Sequence, residues 1–483
     1  MIPHPIAGRI IDHFPGRSTL PCGSWRFRAA SGLRCVARMP NSEPRPKDDQ
    51  ALRIGIDGYN LALARGTGIA TYGLVLARTL QAQGHMIDGV FGIDAGDDPL
   101  MRETLFFERL AQDTRRAKTR LEVKRERSLV RAGALIPFAP RKAAVVPLTD
   151  RVEKAVFAQR LPTFDRLFTI PFLFEMAHRY FNRYRRLLTI SIPLPPDVMH
   201  WTYPVPVRMV GARNIYTLHD LVPLKLPYTT LDGKQAYRSL IEACVGAADA
   251  IATVSEASAR DIRKEFPIAT DKIVNTYQAS PMAMTADAAS FAEDSGIVEG
   301  VFGLAPRSYF LFFGSIEPKK NLGRLLEAYL GLATTTPLVI VGAQSWQAEE
   351  ELRLLSTLGE DESRRVIRLE YLPRPLLQRL VRCARAVMFP SLYEGFGLPI
   401  LEAMQLGTPV LTSNTSSIPE IVGGAAILID PYDPSSIAEG LRRLDENEPL
   451  RAELSAGGIE QAHNFSLDRY AERLDRLYAR AAA

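Results

Sequence analysis

The chain has 483 residues, of which 46% are hydrophobic and 23% are charged. This is the composition of a globular protein, and the length exceeds what a single hydrophobic core usually serves, so two domains are the simplest expectation. The formal charge of +5 is small for this length, and it argues against a nucleic-acid binder with a uniformly basic surface.

The cysteine spacing and the hydropathy exclude further classes of protein. The four cysteines form no Cys-x-x-Cys pair, which argues against a structural zinc site and against a disulfide framework. No run reaches the ~18 apolar residues that a transmembrane helix requires. We therefore expect a cytoplasmic protein.

Residues 1–50 differ in character from the rest of the chain. They are rich in arginine, proline and glycine, and they lack the apolar segment of a secretory signal. We expect a disordered N-terminal extension, or sequence upstream of a true start at Met39, that carries no chemistry.

From residue 52 onward, short apolar runs alternate with amphipathic stretches. The strand candidates are 52–57, 87–94, 196–202, 214–220, 250–255 and 272–277 in the first half, and 308–314, 337–342, 365–372, 385–390, 409–413 and 425–430 in the second. Strands that are apolar throughout indicate parallel sheets covered on both faces. The pattern predicts an α/β fold with two doubly wound, Rossmann-like domains, 51–282 and 307–465.

Two segments interrupt this alternation. Residues 283–306 are rich in alanine, serine and glycine, and we interpret them as a linker. The first domain contains an insert, about 100–195, that is first basic and then both aromatic and basic. It is either a solvated helix followed by a cover over the sheet, or an interfacial patch at 115–188 whose arginines attract anionic headgroups. In the second case three phenylalanines would dip into the acyl boundary: Phe168, Phe172 and Phe174.

The stretch SLYEGFGLPILEAM, residues 391–404, joins a predicted strand to a predicted helix. Gly395 and Gly397 allow a ligand to approach the backbone closely, and Pro399 suits the first turn of a helix. The exposed N–H groups and the positive end of the helix dipole favour an anion there, most naturally a phosphate. The stretch is thus a candidate phosphate site at the carboxyl edge of a sheet.

The same stretch holds two carboxylates, Glu394 and Glu402. The residues alone leave four interpretations open: a general acid and base, metal ligands, a glutamate favoured by the helix dipole, or two arms that accept hydrogen bonds from hydroxyls. No Asp-x-Asp pair stands in a loop suited to a metal, so we predict that no metal is required.

The region 389–433 as a whole resembles the signature of retaining glycosyltransferases of family 4, also called glycosyltransferase group 1, which have the GT-B fold. Shorter segments resemble other blocks of that family: 53–73, 216–227, 248–262, 309–329 and 338–342. GSIEPKKN and VGAQSW are most similar to its mannosyl- and rhamnosyl-transferring branch. The resemblance covers roughly 53–95 and 196–475, whereas the insert and residues 1–50 lie outside it.

The resemblance implies roles for residues of the second domain. Glu394 would contact hydroxyls of the donor sugar, and Glu402 would contact the ribose of the nucleotide. Lys320 would neutralise the diphosphate, and the backbone at Gly397 and Leu398 would complete the phosphate cradle.

One position departs from the family pattern. Many members place an arginine directly after the glycine that ends the first strand of this domain, whereas here Ser315 follows Gly314. We therefore expect Lys319 to be the second basic contact, or that contact to be missing.

The first domain contributes two further candidates. Gly68, in the loop GTGIATYG, resembles the glycine that reaches the donor phosphate from the opposite domain. His219 lies at the end of an apolar strand, and by resemblance it would touch the donor sugar or the developing charge. The alternative is a structural histidine hydrogen-bonded by Asp220. The final helix, 466–483, is expected to return to the first domain.

The resemblance implies a retaining transferase, here one that moves a hexose from a GDP- or UDP-linked donor without a cofactor. Its partners would be that nucleotide sugar and a polysaccharide or lipid-linked glycan at the cytoplasmic face of a membrane, with no nucleic acid. Two alternatives stay open: a GT-B epimerase or phosphorylase, and a membrane- or nucleic-acid-binding scaffold with a vestigial transferase domain. Intact Glu394, Glu402 and Lys320 argue against a vestigial domain.

Overall fold

The structure is a computed structural model, and it describes residues 51–63, 68–112, 120–135, 139–149, 151–230, 233–280, 288–343, 345, 347–359, 364–370 and 372–482. The predicted extension 1–50 lies outside these residues, as do the first arginines of the basic insert and part of the GTGIATYG loop.

Among the described residues, the first domain contains eleven strands: β1 (Arg53–Asp57), β2 (Met86–Phe91), β3 (Arg141–Lys142), β4 (Ala144–Val146), β5 (Arg166–Thr169), β6 (Leu188–Ser191), β7 (Val198–Trp201), β8 (Val207–Met209), β9 (Arg213–Leu218), β10 (Ala250–Thr253) and β11 (Ile273–Asn275). Eight of them form one sheet in the order β11-β10-β9-β7-β1-β2-β5-β4, in which only the β4–β5 pair is antiparallel. The remaining three form a small parallel sheet, β3-β6-β8.

Six strands form the second sheet: β12 (Phe310–Phe313), β13 (Leu338–Val341), β14 (Val366–Leu369), β15 (Ala386–Phe389), β16 (Val410–Ser413) and β17 (Ile427–Ile429). Their order is β14-β13-β12-β15-β16-β17, and every pair is parallel. The four central strands are buried along their whole length, because helices cover both faces. Every predicted strand is present, and the predicted α/β fold with two doubly wound domains is confirmed.

The described helices connect these strands: α1 (Gly68–Ala82), α2 (Arg102–Ala111), α3 (Arg120–Leu135), α4 (Leu173–Tyr184), α5 (Val222–Lys225), α6 (Lys234–Ala247), α7 (Glu256–Glu265), α8 (Ala288–Phe302), α9 (Leu322–Leu330), α10 (Ala348–Glu351), α11 (Arg374–Cys383), α12 (Leu398–Gln405), α13 (Ile418–Val422), α14 (Pro434–Glu446), α15 (Glu448–Ala462) and α16 (Leu467–Ala482). None of the helices that the structure describes combines the length and hydropathy needed to cross a bilayer.

The insert contributes to the core of the first domain. Strand β5 pairs in parallel with β2, and helix α4 packs against α3. Phe168 and Phe174 are 2% and 4% exposed, so the interfacial interpretation that placed them in a membrane is wrong. Their burial follows from the apolar face of the insert completing the sheet, which a stretch interrupted by arginines did not reveal.

Helix α8 occupies most of the segment predicted as a linker. It packs against α11 of the second domain, where Asp294 lies 3.0 Å from both Arg379 Nε and Arg382 Nη1. These ion pairs attach α8 to the second domain.

The final helix, α16, packs against β9, β10 and β11 of the first sheet. Tyr478 Oη lies 2.7 Å from His200 Nδ1, and Thr217 Oγ1 lies 2.7 Å from His200 Nε2 and 2.9 Å from Tyr72 Oη. Burial lowers the pKa of His200 to about 3, so the imidazole is neutral. This buried polar network ties the end of the chain to the first sheet.

Candidate active site

The carboxyl edges of the two sheets border one cavity, at the positions where doubly wound folds bind ligands. The strand order reverses between β1 and β7 in the first sheet and between β12 and β15 in the second. Ligands of such sheets bind outside the carboxyl ends of the strands, at this reversal. A cavity of about 630 Å³ lies there, lined by segments that follow strands of both sheets.

Glu394 and Lys320 form a buried ion pair in the second-domain half of the cavity. Lys320 Nζ donates to Glu394 Oε1 at 2.6 Å, and the two side chains are 11% and 9% exposed. Burial would raise the pKa of Glu394, but the charges of Lys320 and Lys319 and hydrogen bonds outweigh it, so the pKa is lowered. Glu394 is therefore ionised at neutral pH.

Lys319 also lines the cavity, beside the serine that departs from the family pattern. Lys319 Nζ lies 3.7 Å from Glu317 Oε1, which also accepts a hydrogen bond from Ser315 Oγ at 3.1 Å. Burial would lower the pKa of Lys319, but the carboxylates of Glu394, Asp220 and Glu317 together raise it. A cation thus faces the cavity although Ser315 carries no charge.

Helix α12 begins at the cavity wall. Gly397, Leu398 and Pro399 line the cavity, and no side chain caps the first-turn N–H groups of the helix. Gly397 has φ +100°, a left-handed conformation in which any side chain would be strained. Pro399 has no N–H, and the N–H groups of Ile400 and Leu401 donate to the Gly397 carbonyl oxygen at 2.9 and 3.3 Å. The positive end of the helix dipole nevertheless lies at the cavity wall, where it favours an anion.

The two domains touch directly beside this cradle. A Cβ on Gly395 would lie 2.5 Å from the carbonyl oxygen of His219, so only glycine allows the observed approach. Nearby, the Glu420 carboxylate of the second domain accepts from the backbone N–H groups of Glu256 and Ala257, at 3.1 and 2.9 Å. Glu420 thus caps the start of helix α7 across the cleft and holds the domains together.

His219 lies in the first-domain wall, where burial lowers its pKa. Its Nε2 lies 2.9 Å from the carbonyl oxygen of Thr202, and its ring packs edge-on against Tyr72 with centroids 4.9 Å apart. The Asp220 carboxylate instead accepts from the backbone of Val222 at 3.1 Å. The hydrogen bond between His219 and Asp220 considered from the sequence is therefore absent from the described contacts.

The remaining predicted residues lie on either side of the cavity. Gly68 begins helix α1 and lines the wall opposite Gly397. Glu402 is not among the lining residues; its Oε1 lies 3.0 Å from Arg374 Nη2 on α11. Burial raises the pKa of Glu402, and Arg374 partly offsets this.

Two cavity-lining residues, Gln278 and Tyr203, were not singled out from the sequence. Gln278 comes three residues after β11, and Tyr203 two residues after β7. Both could have been found by taking each polar or aromatic side chain just beyond a parallel strand, since the carboxyl ends of such strands share one edge.

Comparison with known proteins places these features in a family. Residues 304–461 match the family described as Glycosyl transferases group 1, and residues 138–277 match Glycosyltransferase Family 4. The O-antigen chain mannosyltransferase B of Escherichia coli is 34% identical over 261 residues, which cover 53% of this chain and 67% of that protein. The chain belongs to glycosyltransferase family 4. This confirms the family inferred by resemblance, but the second match includes residues 138–195, which the resemblance had placed outside the family.

Two further similar proteins are a longer relative and a solved structure of low sequence identity. The serotype-specific mannosyltransferase WbdA of Escherichia coli is 30% identical over 274 residues, and the match spans 55% of this chain but only 33% of WbdA. Sucrose-phosphate synthase from Thermosynechococcus elongatus superposes with a TM-score of 0.60 at 17% identity, over 89% of this chain and 98% of that one. The latter similarity concerns the GT-B fold alone.

Proposed function

We propose that this glycosyltransferase moves a hexose, most simply mannose, from a nucleoside-diphosphate sugar to a glycan acceptor with retention of anomeric configuration. The observation that carries the proposal is the ion pair of Lys320 and Glu394 beside the uncapped start of helix α12, in a cavity between the two sheets. The names of the Escherichia coli relatives support mannose as the sugar.

The second domain provides the means to stabilise a departing diphosphate. In the proposed reaction, Lys320, Lys319 and the backbone of Gly397 and Leu398 at the start of α12 stabilise the charge that develops on the GDP or UDP leaving group. Glu394 accepts hydrogen bonds from hydroxyls of the transferred sugar, and Glu402 contacts the ribose. Neither a metal nor another cofactor takes part.

The first domain closes the site. His219 and Gly68 line the first-domain side of the cavity, from which they would face a bound donor, and Gly395 approaches His219 beside it. Closure excludes water and so protects the activated sugar from hydrolysis.

A panel of nucleotide sugars tests this function. Incubation with GDP-mannose, UDP-glucose and related donors, together with a mannose-terminated oligosaccharide, is expected to release GDP or UDP and extend the glycan, also in the presence of EDTA. Product anomers are assigned by NMR. Glu394→Ala should abolish release, whereas release that persists in Glu394→Ala would refute the site assignment.

The insert provides a surface suited to an anionic membrane. Helices α3 and α4 pack together, and Arg127, Arg131, Arg179 and Arg183 are exposed on them, with Leu135 53% exposed nearby. Basic residues attract anionic lipid headgroups. We propose that this surface, rather than the buried phenylalanines, brings the enzyme to a lipid-linked acceptor.

Sedimentation with vesicles tests this membrane contact. Each basic residue near an anionic surface contributes about 1 kcal/mol, so Arg179→Glu/Arg183→Glu is expected to lower the vesicle-bound fraction by roughly tenfold or more. Phosphatidylglycerol vesicles should pellet the wild type at low salt but not at high salt, and phosphatidylcholine vesicles should not. Failure to pellet with phosphatidylglycerol would contradict the contact.

A further inference from the structure

One buried polar atom in the cavity wall has no partner. Gln278 is 6% exposed and lines the cavity, and its Oε1 finds no hydrogen-bond partner among the described residues. Its Nε2 lies 3.3 Å from His219 Nδ1. An unsatisfied buried acceptor costs about 1–3 kcal/mol, so this atom, on a residue that lines a cavity, indicates a missing donor.

The hydrogen bonds of His219 fix which end of the Gln278 amide is free. The carbonyl oxygen of Thr202 can only accept, so His219 Nε2 carries the proton that it donates there. Burial keeps the ring neutral by lowering its pKa, so Nδ1 is the acceptor. The Gln278 amide must then donate to Nδ1 through Nε2, which leaves Oε1 available for a hydroxyl or N–H donor.

The first-domain and second-domain halves of the cavity lining differ in charge. Among the described first-domain residues that line the cavity there is no lysine or arginine, whereas the second-domain half contains Lys319 and Lys320. Tyr203, Val222 and Pro223 instead give this wall aromatic and apolar surface. Sugar rings have apolar C–H faces that such surface can cover, and their hydroxyls can satisfy an amide oxygen.

We propose that Gln278 Oε1 accepts a hydrogen bond from a hydroxyl of an uncharged acceptor sugar, whose ring lies against Tyr203. The proposal rests on the proposed function, because the cations and the helix start of the second domain are assigned to the donor diphosphate. It adds the class of acceptor group that enters the cleft: a neutral sugar rather than a phosphorylated one.

Binding of small sugars to the full-length chain tests the proposal without requiring transfer. Titration followed by NMR is expected to show binding of α-mannobiose and at least tenfold weaker binding of its 6-phosphorylated counterpart. Gln278→Met keeps the side-chain length and should weaken mannobiose about tenfold, the effect of one lost hydrogen bond. A wild type that does not bind mannobiose, or that prefers the phosphorylated sugar, would overturn the proposal.

Deoxy sugars distinguish a direct hydrogen bond between Gln278 and the sugar from an indirect effect of the substitution through His219. One monodeoxy mannobiose should bind the wild type about tenfold more weakly than the parent and lose nothing further in Gln278→Met, because both changes remove the same bond. If every deoxy analogue loses as much in the variant as mannobiose does, Gln278 does not bind the sugar. GDP affinity should be unchanged in the variant.

Gln405 supplies the matched control. It is 4% exposed with an unpartnered Oε1 in the described structure, but it does not line the cavity. Gln405→Met should leave mannobiose affinity within twofold of the wild type, and a tenfold loss would contradict the inference. A wild type that binds mannobiose but releases no nucleotide from any donor would refute the proposed function and not the Gln278 contact.

Discussion

Replacing Glu394 with glutamine is expected to lower kcat/KM by about 10²–10³-fold, the size of effect seen when one preorganised electrostatic contact is removed from a transition state. It is also expected to destabilise the protein by about 3–5 kcal/mol, because Lys320 is left as a buried charge without its partner at 2.6 Å. Steady-state kinetics and urea unfolding measure the two effects.

A double variant separates the chemistry from the folding in this prediction. Lys320→Met/Glu394→Gln removes both charges, so most of the lost stability should return while activity stays lost. The lowered pKa of Glu394 means that its stabilisation is complete above the unfolded value of 4.5 and is lost as pH falls through the folded value. The stability difference between wild type and Glu394→Gln should therefore shrink below about pH 4.5; a difference that grows would contradict the buried ion pair.

Gly395→Ala is expected to reduce kcat by about 100-fold, because displacing reacting groups by about 1 Å can cost that much. The new methyl group would lie 2.5 Å from the His219 carbonyl oxygen, so the domains could not close as they do. Affinity for the nucleotide alone should change less than kcat, since the three nearest atoms to the added methyl group belong to His219 and Asp220 of the first domain. Kinetics and isothermal titration with GDP measure the two quantities.

Gly424→Ala is the control for this substitution, because a Cβ there would meet nothing within 4 Å. It should leave kcat unchanged. A kcat for Gly395→Ala within threefold of the wild type would show that the contact between Gly395 and His219 is not needed for the reaction.

Prediction from sequence succeeded where the signal is local. The apolar strands could be placed because each is a short run bounded by turns and helices, and Glu394, Lys320 and Gly397 could be selected because they fall in contiguous motifs. The insert was harder: β5 is four residues long, and nearby arginines masked the apolar face that buries Phe168 and Phe174.

Other parts of the site could not be read from the sequence, because they depend on distant contacts. The pairing of Glu402 with Arg374 joins helices α12 and α11, and nothing in the 391–404 stretch identifies that partner. The free amide oxygen of Gln278 becomes visible only once His219 and Thr202 are placed beside it.

The sequence by itself determined two parallel-sheet domains, the family, and the basic and acidic residues of the second-domain half of the cavity. These features follow from hydrophobic periodicity and from short motifs, in which residues close together in the sequence are also close together in the structure. Only the tertiary structure decided how the two domains contact each other, which first-domain side chains line the cavity, and which side chain pairs with Glu402. The reason is physical: these contacts join segments that are distant along the chain, such as Lys320 and Glu394, which are 74 residues apart, and Gly395 and His219, which lie in different domains.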